Sequence, residues 1–249
     1  MTKFFCTPYE RREPWQMAVT LFNGTIYMNE VETDEARQRR LSMSQRQDEM
    51  CYWGYKFEDY TTSPVNQASN VVPAENAAVN NKEQYVTVVR SRLDKHSLIY
   101  GAEVDCCMKG NETISPPLNY IELKTSKIIE NDRMMWSFER YKLLKWWAQS
   151  FLAGVPKIVG GFRNDNGIVK ELKSFNTVEI PSKVAGKRNM WSGNVCLSFC
   201  NQFLGWVKSV VKDENVVYML HWQEPFKHII FKISKDPKDK FLPDWYVKE

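Results

Sequence analysis

The twenty residues from Arg133 to Leu152 constrain this chain more than any other stretch. They contain neither Pro nor Gly, and Gly154 and Pro156 follow them as stop signals. Trp136, Leu143, Leu144, Trp147 and Phe151 recur at helical spacing, which predicts a helix packing one apolar face on a sheet. Lys142, Lys145 and Gln149 fall together on another face, with Trp146 beside them. Around this helix the chain offers strands. Trp15–Phe22 and Thr25–Val31 flank Asn23-Gly24, a pair that tolerates the positive φ of a tight turn, so they read as a hairpin. Lys157–Arg163 and Ile168–Phe175 flank Asn166-Gly167 in the same way. Further candidates are Gln84–Leu93, Leu98–Met108, Leu118–Thr125, Val216–Trp222 and His228–Ile233. Helices are expected over much of Glu35–Tyr60, with a break near Leu41–Ser44, and over Val195–Val211. Thr61–Asn81 and Lys109–Pro117 read as loop and turn. Strands and helices interleave without a regular βαβ repeat, so the expectation is an α+β fold, read as a single domain over 1–249.

Composition narrows the function classes. A net charge of +4, from 34 basic and 30 acidic residues, is compatible with nucleic acid without implying it. Nine Trp, 11 Tyr and 13 Phe supply a large core and leave rings to spare for stacking bases. The six cysteines include adjacent Cys106 and Cys107 and no Cys-x-x-Cys pair, and none of His96, His221 and His228 stands at ligand spacing from a Cys pair. Zinc and a disulfide framework are therefore not expected, and free thiols are. Met1–Glu13 is polar, and no apolar run approaches the ~20 residues a membrane span needs. These features point to the cytoplasm or the nucleus, with no membrane partner.

Chemistry concentrates in two short segments, Gly101-Ala102-Glu103-Val104-Asp105 and Tyr120-Ile121-Glu122-Leu123-Lys124. Side chains alternate along a strand, so Glu103 and Asp105 face one way, as do Glu122 and Lys124, while Val104 and Leu123 face the other. The turn between the segments makes them candidate neighbours in one sheet. Three carboxylates and an ammonium would then converge. Such carboxylates repel one another unless a cation neutralises them. A hard divalent ion with oxygen ligands does so and keeps positions open for water and phosphate. Two such ions can clamp an in-line phosphoryl displacement, and a neighbouring lysine can stabilise its developing charge. Acyl transfer fits poorly, because no Ser-His-acid or Cys-His arrangement is evident. Alternating charge is also how a solvated strand face reads, so spacing leaves both readings open. Asp105 and Glu122 stand 17 residues apart, with Lys124 two positions after the Glu. That pattern resembles the Asp…Glu-x-Lys nuclease superfamily.

A wider set of motifs occurs in order: Thr7–Glu13, Glu30–Thr33, Gly54–Glu58, Glu103–Asp105, Tyr120–Lys127, Lys142–Phe151, Gly161–Asn164 and Phe241–Val247. Together they closely resemble the decapping exoribonuclease (DXO) family over essentially the whole chain. The resemblance implies two mixed β-sheets flanked by helices, with an Asp…Glu-x-Lys nuclease-like core. It implies hydrolysis at RNA 5′ ends: removal of incomplete or non-standard caps, including NAD-type caps, or degradation from the 5′ end. It implies that Glu58, Glu103, Asp105, Glu122 and the Leu123 carbonyl hold Mg²⁺ or Mn²⁺, two ions in the fullest form. Lys124 and Gln149 would position the scissile phosphate or the attacking water. Lys142 and Lys145 would contact RNA backbone, although solvated lysines read the same way. RNA is the implied partner, and a separate nuclear 5′-3′ exoribonuclease is a second. The family pattern has a longer region before Thr7, including an arginine that reaches the substrate phosphate; this chain has no matching residue and reads as N-terminally shortened. A non-catalytic RNA-end-binding protein and a DNA nuclease of the same superfamily are the competing readings.

Overall fold

The computed structural model describes residues 1–64, 78–108, 114–214 and 216–248. The middle of the expected Thr61–Asn81 loop and most of the expected Lys109–Pro117 turn lie outside the described residues. Along the chain run α1 (Thr2–Cys6), β1 (Trp15–Phe22), β2 (Thr25–Val31), α2 (Asp34–Leu41), α3 (Gln45–Thr61), β3 (Val86–Leu93) and β4 (His96–Glu103). There follow β5 (Cys106–Cys107), β6 (Tyr120–Lys127), α4 (Asp132–Ser137), a π-helical turn (Phe138–Lys142), α5 (Leu143–Ala153), β7 (Lys157–Arg163) and β8 (Val169–Asn176). The chain closes with α6 (Ile180–Val184), α7 (Gly193–Val210), β9 (Val217–Trp222), β10 (Ile229–Ile233) and α8 (Asp244–Val247). No helix among the described residues is long and apolar enough to cross a membrane. Tertiary contacts group the chain into two compact units.

The first unit comprises Lys3–Met43 and Cys196–Glu249. Its sheet has the order β10-β9-β1-β2 and is antiparallel throughout. The β1–β2 hairpin turns at Asn23 and Gly24, whose φ angles of 46° and 73° supply the two positive values such a turn needs. Phe4, Trp15 and Phe203 pack in its core, and Trp15 Nε1 donates to Thr7 Oγ1 at 3.0 Å. Thr33 caps α2 by accepting from the Ala36 N–H.

The second unit comprises Met1–Thr2 and Ser44–Val195. Ser44 and Gln47 form a capping box that starts α3, so the expected break near Leu41–Ser44 is the gap between two separately capped helices. Its sheet has the order β5-β6-β7-β8 and is mixed: β6 and β7 run parallel and the other pairs antiparallel. A parallel pair needs a long crossover, which the helical run from α4 to α5 provides. The expected α+β class holds, with one of the two four-stranded sheets mixed and the other antiparallel.

Two expectations are corrected here. The strand expected over Leu98–Met108 is broken at Val104–Asp105. Its first part, β4, pairs only with β3 as a separate two-stranded ribbon. Only Cys106 and Cys107 continue onto β6, opposite Ile121 and Tyr120. The expected apolar face of the long helix is also incomplete. Leu143, Leu144 and Trp147 are buried, but Trp136 and Phe151 are 39% and 37% exposed. The π turn inserts an extra residue into the helical repeat and rotates Trp136 off the stripe of Leu143 and Trp147. Phe151, near the end of α5, stacks on Trp147 with one side open. Trp146 is buried instead, because α5 is covered on two sides. Gly160 of β7 lies under Trp146, and Trp191 stacks on Trp147 at 5.0 Å.

Candidate active site

The site is built on the edge of β6, where the short β5 stops. Pairing of Met108 N–H with the Asn119 carbonyl, and of Cys106 with Ile121, turns the odd-numbered backbone groups of β6 towards β5. Leu123 is the next in that row and has no strand opposite it. Its N–H is taken up by a side chain: it donates to Asp105 Oδ2 at 2.6 Å. In an extended strand the N–H and C=O of one residue point to the same side. The Leu123 carbonyl therefore opens on the same edge, beside Asp105.

The even-numbered side chains of β6 share one face. Glu122 is fully buried, and Lys124 places its ammonium against Glu122 Oε1 and 3.9 Å from Asp105 Oδ2. Ser126, next on that face, accepts from Lys142 Nζ at 3.2 Å. Glu122 Oε2 is buried without a hydrogen-bond partner. Glu58 arrives on α3, which lies unusually close to the sheet. A Cβ added at Gly161 would stand 2.7 Å from the Phe57 ring, and one at Gly54 would stand 4.0 Å from Thr125 Oγ1. Gly54, Phe57 and Gly161 thus set the depth at which Glu58 is presented.

The electrostatics show the convergence. Burial pushes Glu58 up to about 7, and Asp105, Glu103 and Glu122 push in the same direction against Lys124. Burial also pushes Glu122 up to about 7 despite Lys124, with Asp105 and Glu103 adding to the rise. Burial depresses the Lys124 ammonium, but Glu122 and Asp105 outweigh it and hold its pKa above the usual lysine value. The Cys106 thiol, behind the cluster, is driven to about 12 by burial and then by Asp105. Glu58, Glu103, Asp105, Glu122 and Lys124 therefore act on one another as one group. Strand alternation led to the expectation that Glu103, Asp105, Glu122 and Lys124 converge, and that route is incomplete. Strand alternation does not carry Glu103 and Asp105, because the strand breaks between them. The bend at Val104, whose N–H donates to the Tyr85 carbonyl at 3.0 Å and whose side chain is buried, swings Asp105 onto β6.

Of the remaining expected residues, Lys142 is tied to the Glu122–Lys124 face through Ser126, and Lys145 is exposed. Gln149 is half-buried seven residues after Lys142, nearly two helical turns along the same side. Ser126 was missed, although the alternation through Glu122 and Lys124 points to it as the next position.

Among the described residues no three His, Cys, Asp or Glu side chains already form a metal cage. The Lys124 ammonium occupies the space between Glu122 and Asp105. The donor set nevertheless fits a hard divalent ion: carboxylates, an open backbone carbonyl and one buried carboxylate oxygen left unsatisfied.

Comparison with known proteins identifies the family. The family model described as "RAI1 like PD-(D/E)XK nuclease" matches residues 1–247. The decapping and exoribonuclease protein of Xenopus laevis is 46% identical over 251 residues, covering 99% of this chain and 61% of that protein. The chain thus spans less than two thirds of that relative's length. The crystal structure of Candida albicans Rai1 in complex with pU5-Mn²⁺ matches with a TM-score of 0.82 at 31% identity, over 96% of this chain and 68% of that one. Scheffersomyces stipitis Rai1 in complex with (3′-NADP)⁺ and calcium ion matches with a TM-score of 0.80 at 25% identity, over 96% of this chain and 66% of that one.

Proposed function

The chain belongs to the RAI1-like PD-(D/E)XK nucleases, and on that premise we propose that it is a metal-dependent hydrolase of RNA 5′ ends. Its substrates in this reading are RNAs with incomplete or non-standard caps, NAD-type caps included, and RNAs shortened from the 5′ end. The observation that carries the proposal is the joint placement of Glu122, Lys124 and Asp105 on the open edge of β6, with Glu58 brought up to them by α3. The relatives bound to pU5-Mn²⁺ and to (3′-NADP)⁺ support the choice of ligand class.

Glu58, Glu103, Asp105, Glu122 and the Leu123 carbonyl would hold Mg²⁺ or Mn²⁺, which when bound neutralises the carboxylates and polarises water and phosphate for attack. The protein's own groups do the rest. Lys124 keeps a positive charge on the Glu122 face and stabilises the negative charge that develops on the scissile phosphate. Lys142, steadied by Ser126, holds a backbone phosphate without reading sequence. Gln149 orients the attacking water from the same side of α5.

The test is cleavage of a panel of RNAs bearing an unmethylated cap, NAD, triphosphate or monophosphate, with Mn²⁺, with Mg²⁺ and with EDTA. Metal-dependent release of a cap nucleotide or of mononucleotides is expected. RNA binding with no such product would leave an RNA-end-binding protein, and preference for DNA would reject the substrate class.

A further inference from the structure

The β3–β4 ribbon has two unlike faces. One is anchored: His96 is buried, Tyr100 Oη donates to the Leu152 carbonyl at 2.7 Å, and Ala102 packs on the cluster of Val104, Tyr120, Ala153 and Val155. The opposite face is open. Its register sets Val86 beside Glu103, Val88 beside Gly101, Arg90 beside Ile99 and Arg92 beside Ser97. Val86, Val88 and Ile99 are 55%, 74% and 71% exposed, well beyond what scattered surface residues need. The face therefore begins at Glu103, crosses aliphatic side chains and ends at exposed Arg90 and Arg92, with exposed Lys95 in the turn beyond.

We propose that this open face is the track for the single-stranded body of an RNA whose 5′ end lies at the carboxylate cluster; the proposal rests on the reading given above. Continuity is the first argument. Glu103 ends the ribbon face opposite Val86, and two residues on Asp105 accepts from the Leu123 N–H at the edge of β6. Charge is the second. The ribbon carries Glu103 at its base, and its tip sets Arg90, Arg92 and Lys95 against the one acid Asp94, so a polyanion is drawn along it and its trailing phosphates are kept off the carboxylates. Chemistry is the third. Aliphatic side chains give apolar contact to sugar and base faces, and guanidinium groups bind backbone phosphates without selecting a sequence. From Glu103 to Ser97, the partner of Arg92, the strand rises about 20 Å. A dinucleotide held at Glu103 stops short of the arginines, and a longer RNA reaches them.

The experiment compares the wild type with Arg90→Gln/Arg92→Gln, two exposed positions whose substitution leaves the anchored face intact. Fluorescence anisotropy in EDTA measures affinity for a 5′-phosphorylated RNA of about twenty nucleotides and for a dinucleotide, across a salt series. The variant is expected to bind the long RNA more weakly. Its slope of log affinity against log salt should be shallower by about 1.4, because two phosphates of a single strand are no longer neutralised. Dinucleotide affinity should not move. An unchanged slope overturns the track, and so does an equal weakening for the dinucleotide, which would place the arginines at the 5′ end. A change in sedimentation with RNA affinity intact would also overturn it, in favour of a protein-binding face. Binding in EDTA is independent of turnover, so failure of hydrolysis alone removes the reading of function and leaves this measurement standing.

Discussion

At the scale of single residues, the pair of buried Glu122 and half-buried Lys124 sets the expectations. Glu122→Gln and Asp105→Asn should abolish metal-dependent nucleotide release, and persistent hydrolysis in both would place the active centre elsewhere. Lys124→Met should slow turnover ~10²–10³-fold while Mn²⁺ binding, followed by calorimetry, is retained; an unchanged rate would remove its role. The raised carboxyls also predict a pH dependence. Glu58 and Glu122 sit at about 7 against an ordinary 4.5. The folded state therefore holds their protons more tightly than the unfolded chain does. The stability this contributes is complete below about 4.5 and is lost as pH rises through 7. In EDTA, the Tm of the wild type should fall relative to Glu122→Gln across that window, and Mn²⁺ should restore it. A wild type that gains on the variant as pH rises would contradict this. Glu103, Asp105, Glu122 and Lys124 were legible in the spacing Glu103-x-Asp105 and Glu122-x-Lys124, whereas Glu58 came only from the family resemblance. Their burial and mutual pressure were not legible, because desolvation depends on which distant elements cover them.

At the scale of elements, the seating of α3 on β7 is the feature most open to test. Phe57 lies so close to Gly161 that a Cβ there meets ring atoms at 2.7 and 2.9 Å. Gly161→Ala should cost about 1–3 kcal/mol in thermal denaturation. It should also depress turnover by lifting Glu58, and Phe57→Leu in the same chain should recover much of both. Normal activity in Gly161→Ala would show that α3 does not set the position of Glu58. Both hairpins and the Gly154 stop are local events, and they were readable; the capping box of α3 is local too, but only the break before it was expected. Gly154 takes φ 75°, and Val155 N–H donates back to the Ser150 carbonyl at 2.9 Å. The π turn was not readable, nor was the break at Val104–Asp105. Both depend on what packs against the segment rather than on its own residues.

At the scale of the whole molecule, the cysteines give a reading of both units at once. Cys51 and Cys107 are exposed, Cys6, Cys196 and Cys200 are buried, and Cys106 is half-buried. Burial pushes Cys196 to about 12 and Cys200 to about 11, far from the thiolate form that reacts. Native protein should therefore label quickly at Cys51 and Cys107 with an aromatic disulfide reagent, and at Cys6, Cys196 and Cys200 only on unfolding. Peptide mass mapping of early label at Cys196 would contradict the burial described. The division into units escapes a linear scan, because one unit joins Lys3–Met43 to Cys196–Glu249. Strand β1 finds β9 about two hundred residues away, and no shift in composition marks that pairing.

By itself the sequence determined the two Asn-Gly hairpin turns, the stop of the long helix at Gly154, and the list of acidic and basic residues able to do phosphate chemistry. Each of these is set by neighbours in the chain, through backbone hydrogen bonds and allowed φ angles. The tertiary structure alone decided that the chain breaks after β4 and swings Asp105 onto β6, that Lys124 lies between Glu122 and Asp105, and that Glu58 reaches them from α3. Those outcomes follow from close packing between segments remote in sequence. There, burial changes the energy of a charge more than any adjacent residue can.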